Sequence, residues 1–177
     1  RTFIGLTGLT RHAAEAALRR HLGVCYDVCH AAVEFEDAAG SIARLRGAGI
    51  AVPKLQLSAA LEVAEVGPET AARLARFEDG VYLHQVVERA PDGVLRHFLD
   101  LSEAFAELAT AHGRTWRVHC HVPIFHERLE GLGSTQPSLV RLLELQRAQL
   151  IRARLLDRFE LVVGTHRGPP AGAPLRR

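Results

Sequence analysis

A chain of 177 residues, 47% of them apolar and 24% charged, is long enough to bury a core and too mixed in composition for wholesale disorder. Its net charge of +2 is spread as arginines between acids, so no basic stripe marks a nucleic-acid partner. Three cysteines, an odd number, with no secretory h-region argue against a disulfide framework, and no run reaches the ~18–20 apolar residues a membrane helix needs. The cysteines point to a reducing cytoplasm.

In chain order, Thr10 is placed to cap a helix over 11–22 that stops at Gly23, and 24–28 is a short apolar strand. Residues 36–48 read as a second helix. Residues 52–58 form a strand in which Pro53 is tolerable only near the start. Pro68 suits a first helical turn, with a short helix over 69–77. Strands over 81–88 and 94–99 flank Asp92-Gly93, a type I′ hairpin signal. A helix over 102–112 ends at Gly113, and 115–122 is a strand closed by Pro123. Ser134 and Thr135 are placed to cap a long helix over 137–157, and 159–164 is the last strand. The alternation predicts an α/β fold with parallel strands, crossover helices and an inserted β-hairpin. With no methionine the chain reads as a fragment, and its Gly-, Pro- and Arg-rich end, 166–177, as a disordered tail.

Chemistry concentrates where the first apolar strand meets Asp27 and His30. A carboxylate and an imidazole there offer ligands to a divalent metal such as zinc or manganese, although Asp27 is equally suited to capping the next turn. His119 and His121, two apart on a strand, lie on one side at roughly 6.5–7 Å, a spacing for one shared metal or two. The alternative is a pair on a half-solvated face or hydrogen-bonded into the core. Lys54, Gln56 and Ser58 alternate along one strand and would line a pocket. His84 is a weaker pocket candidate, with a surface position expected. Glu34, Glu36 and Asp37 could move protons, or simply begin a helix as solvated acids. Cys25, Cys29 and Cys120 form no C-x-x-C, which argues against a thiolate zinc site, and Cys29 is expected to pack.

The stretch Cys25-Tyr-Asp-Val-Cys-His30 resembles the Cys-x-Asp-Thr-Cys-His strand motif of endonuclease IV-like and xylose isomerase-like TIM barrels. With Lys54-Leu-Gln-Leu-Ser-Ala-Ala-Leu and Val118-His-Cys-His-Val-Pro-Ile-Phe it is more specifically similar to the EboE-type metabolite traffic proteins of that superfamily. The resemblance spans about 23–163 and implies the C-terminal half of a TIM barrel over 1–165. It implies that Asp27, His30, His119 and His121 hold a divalent metal, and that the partners are a small metabolite and proteins of one gene cluster. Glu34 or Lys54 would handle protons, and Gln56, Ser58 and His84 would line the substrate pocket. Gln56 stands where the pattern often has His, and Gly164 where a glutamate ligand is expected. Those departures favour the alternative, a non-enzymatic metabolite-binding or scaffold protein with a degenerate site and no metal. Phosphodiester hydrolysis on DNA is disfavoured for want of clustered Lys and Arg.

Overall fold

The computed structural model describes residues 5, 7–78, 82–153 and 160–163. In chain order the elements are helix α1 (Arg11–His21), strand β1 (Gly23–Asp27), helices α2 (Val28–Val33) and α3 (Ala38–Gly47), and strands β2 (Ala51–Leu57) and β3 (Ala59–Val63). Next come α4 (Pro68–Leu74), β4 (Val86–Arg89), β5 (Leu95–Phe98), α5 (Leu101–Ala106) and β6 (Thr115–Val122). The last are β7 (Arg128–Leu129), β8 (Leu132–Ser134), α6 (Gln136–Ala153) and β9 (Glu160–Val163). Short 3-10 turns follow α4 and α5.

The fold is mixed α/β, with two sheets. A three-stranded parallel sheet runs β1-β2-β9, and a six-stranded antiparallel sheet runs β5-β4-β6-β3-β8-β7. The parallel strands expected from the sequence are therefore present, but the larger sheet is antiparallel, and among the described residues no barrel closes. The hairpin joins the larger sheet: β4 pairs with β6, so β4 and β5 form one edge of the antiparallel sheet. Its turn differs as well. Asp92 keeps a negative φ while Gly93 is left-handed at 86°, and Gly93 N–H bonds to the Ala90 carbonyl. This is a type I turn over Pro91-Asp92 closed by a left-handed glycine, because type I′ needs positive φ at both central residues. The expected strand over 81–88 begins only at Val86.

Two elements that the sequence did not disclose join the sheets. Strand β3 continues β2 through the single residue Ser58, so one run of chain passes from the parallel into the antiparallel sheet. Helix α2 starts directly on Asp27 at the end of β1. Pro53, third in the middle strand β2, is accommodated by a register shift. Gly23 pairs with Ala51 and Cys25 with Lys54, leaving Val52 and Pro53 opposite Val24 alone. Gly23 is needed there, since a Cβ would lie 2.6 Å from Pro53 Cδ.

The antiparallel sheet carries the larger core, with Leu61, Leu74, Val86, Leu101, Trp116 and Val118 among its buried residues. Within it the fully buried Glu88 carboxylate is satisfied by Arg114 Nη1 at 2.5 Å and Trp116 Nε1 at 2.8 Å. A second core packs Tyr26, Leu55 and Leu57 of the parallel sheet against Ile42 of α3 and Leu139 and Leu142 of α6. The opposite face of β1 and β2 carries Cys25, exposed, with Asp27, Lys54 and Gln56, half-buried. No helix among the described residues is long and apolar enough to cross a membrane. Val81, residues 154–159, Gly164, Thr165 and the tail at 166–177 lie outside the described residues.

Candidate metal centre

The carboxyl ends of β1 and β2 sit side by side, with Asp27 in register with Gln56. Asp27 caps α2. Its Oδ1 accepts the backbone N–H of Cys29 at 2.9 Å and of His30 at 3.3 Å, and the Ser58 hydroxyl at 3.4 Å. One carboxylate oxygen thus fixes the first turn of the helix against the junction between the two sheets. The capping alternative for Asp27 is what the geometry displays.

Strand β6 approaches from the other side, and a bulge re-aims it. Ala60 pairs with His121 but Leu61 pairs with Val118, so His119 and Cys120 are extra residues against β3. The His119 N–H turns instead to the Gln85 carbonyl at 2.8 Å. The two imidazoles converge as a result. His119 Nε2 lies 3.2 Å from His121 Nε2, well inside the 6.5–7 Å that regular strand spacing implies, and the ring centroids are 5.1 Å apart. His30, reaching from α2, stands edge-on to His119 with centroids 4.2 Å apart.

Cys29 completes the cluster. It is fully buried, and its sulfur lies with imidazole nitrogens of His119 and His121 in a group whose donor atoms are all within 4.8 Å of one another. Burial, and next the Asp27 carboxylate, push the Cys29 thiol up to about 12, against a smaller opposing effect of the nearby Ser58 hydroxyl. Burial also pulls His119 down to about 4, helped by the positive charge that His30 and His121 can carry and opposed by Asp27. His119 is therefore neutral at pH 7, the state in which imidazole accepts a metal.

The structure brings Asp27, His30, Ser58, His119 and His121 together. Asp27 and His30 lie beside the three converging donors rather than among them. His84 corrects its expectation: it precedes β4, is buried to 5% exposure rather than lying on the surface, and is close enough for its charge to act on His119. Its N–H bonds to Asp100 Oδ1 at 2.9 Å. Gln56 and Lys54 lie along the half-exposed face leading to the cluster. Glu34 is engaged elsewhere, with His97 Nε2 at 2.8 Å on the exposed surface, and Glu36 and Asp37 bond to Ser41 and to the start of α3. Cys29 is the residue that sequence reading set aside. Its neighbour His30 shares the same capped turn, and that shared turn was the available signal.

Fold and site together define a mixed α/β protein with a histidine–cysteine cluster at the carboxyl ends of two parallel strands. Comparisons with family models, with curated proteins and with solved structures find no match to the chain.

Proposed function

We propose that this is a divalent-metal protein of the cytoplasm that acts on or handles a small metabolite, built on the C-terminal half of a xylose isomerase-like barrel of the EboE type. The observation that carries the metal reading is the 3.2 Å separation of His119 Nε2 and His121 Nε2. The two nitrogens share a hydrogen bond at that distance; two nitrogens each about 2.05 Å from a tetrahedral zinc are roughly 3.3 Å apart, so an ion could take the place of the shared proton with little movement of the rings. A further support is position, since ligand sites of open α/β sheets collect at the carboxyl ends of parallel strands. The barrel reading draws on the partly polar face of β1 and β2, which the described residues leave incompletely covered, because parallel strands are ordinarily covered on both faces.

When bound, the metal would polarise a carbonyl or hydroxyl of the metabolite or lower the pKa of a bound water. Asp27 would hold the turn that presents Cys29 and His30. His119, neutral, would be ready to ligate without first losing a proton, and Gln56 and Lys54 would meet the polar part of the metabolite. The non-enzymatic alternative, a metabolite binder, is favoured by one observation: Glu34, the carboxylate expected to move protons, is paired to His97 instead.

Metal analysis of protein purified without chelators decides the question. Zinc or manganese near one equivalent, falling at least about tenfold in His121→Ala, supports the metal reading. Protein that stays metal-free after exposure to both ions, while folded, gives the site to the binder.

A further inference from the structure

We propose that Cys29 is itself a metal ligand, so that the site is a thiolate–bis-imidazole centre of Cys29, His119 and His121, selective for zinc and chemically similar ions over magnesium and manganese. This rests on the metal reading above and deepens it by naming the ligand set and the class of ion.

The donors come from two elements held independently in place. Cys29 rides on the first turn of α2, whose amide is pinned by Asp27 Oδ1 at 2.9 Å. The histidines ride on the β6 bulge, fixed by the bond from His119 N–H to the Gln85 carbonyl at 2.8 Å. A third tie joins the two elements: Arg117 of β6 reaches the Ala32 carbonyl of α2 at 2.6 Å. Ligand atoms within 4.8 Å stand against ideal tetrahedral edges of roughly 3.3–3.6 Å, so closing on an ion asks about 1 Å of movement from a cysteine rotamer or the first turn.

Burial and the Asp27 carboxylate hold Cys29 as a thiol, so a bound cation would have to supply the charge that stabilises its thiolate. The Ser58 hydroxyl donates to Asp27 Oδ1 at 3.4 Å and lies close enough to Cys29 to favour its thiolate, so it is placed to turn its one proton to a ligating sulfur. Without an ion, the same pocket holds a buried thiol beside converging imidazoles. A thiolate with two imidazoles is a borderline-to-soft set, which zinc and cobalt accept and for which magnesium, calcium and manganese compete poorly. Three protein ligands leave one tetrahedral position open, the pattern of catalytic rather than structural zinc. The exposed ring of His30 marks the side from which that position is reached.

Cobalt(II) titration of the reduced full chain reads the two levels separately. The expected spectrum has intense visible d–d bands of tetrahedral cobalt and a near-ultraviolet thiolate-to-cobalt charge-transfer band, both abolished by zinc. Cys29→Ser should lose the charge-transfer band and bind cobalt at least about tenfold more weakly. The double variant Cys25→Ser/Cys120→Ser, in which Cys29 is the one remaining thiol, should keep the band. That variant decides the matter even if Cys29→Ser fails to fold. Tetrahedral d–d bands with no charge-transfer band, or a band that disappears in the double variant, overturn Cys29 while leaving the histidine site. No cobalt bands of either kind overturn both.

Discussion

His119 is the side chain whose environment departs most usefully from its behaviour in water. Its pKa falls to about 4 from the usual 6.5, chiefly by burial and next by the charges that His30 and His121 can carry. An unfolded chain takes up this proton near pH 6.5, whereas the native protein does so only near 4. The unfolded state thus holds more protons between those values, and stability falls as pH drops through that window. Above 6.5 the group makes no pH-dependent contribution, and below 4 nothing further is lost. Because the ring is only half-buried, the loss expected is roughly 1–2 kcal/mol rather than the full ~1.4 per unit. Urea unfolding of metal-free protein at about pH 7 and about pH 4.5 measures it, with His119→Gln as the control. The wild type should lose more stability than the variant on acidification, and equal losses would refute this account of the site. The convergence behind that shift was partly legible in the sequence. His119 and His121 were readable as a same-side pair, and Asp27 as a cap or ligand. The bulge that closes their 6.5–7 Å spacing to 3.2 Å was not, because it arises from pairing with two strands at once, β3 and β4.

Among elements, the contact that positions the cluster is that of α2 with β6, and Arg117 makes it. Its Nε bonds to Glu62 Oε2 at 2.6 Å, its Nη1 to the Ala32 carbonyl at 2.6 Å, and its guanidinium lies 4.2 Å from the Phe35 ring centroid. Phe35 holds a left-handed φ of 55° at the end of α2, and Arg89 also stacks on it, at 4.3 Å. Removing the guanidinium leaves the partly buried Glu62 carboxylate without this partner and frees the end of the short helix. Arg117→Ala should cost about 2–4 kcal/mol in urea unfolding, and Arg117→Lys, which keeps charge without the fork, roughly half as much. A loss below about 0.5 kcal/mol in the alanine variant would show that α2 is held by its apolar packing alone. Local signals found most elements, including 115–122, where the expected strand and β6 coincide. They missed α2 and β3 for different reasons. Helix α2 has six residues, too few to show a period. Strand β3 follows β2 with no turn residue but Ser58, so nothing local marks the change of sheet.

At the scale of the whole molecule, the two sheets are unequally protected. The antiparallel sheet encloses the larger core and a satisfied buried carboxylate, whereas among the described residues β1 and β2 are packed on one face, leaving Cys25 exposed on the other. A parallel sheet open on one side buries less apolar surface per residue and gains correspondingly less from folding. The helices that clad it, α3 and α6, are among the longer ones, while the one tryptophan, Trp116, is fully buried in the antiparallel core. Helix and core therefore carry separate signals. On heating, the far-ultraviolet helical signal should fall at a lower temperature than Trp116 fluorescence, as the parallel layer opens first. A ligand bound at the carboxyl ends of β1 and β2 and to β6 would tie the layers together and narrow that gap, so zinc should bring the two midpoints toward each other. Coincident midpoints in the metal-free protein would instead mean that the continuous chain from β2 through Ser58 into β3 already makes the two sheets one cooperative unit.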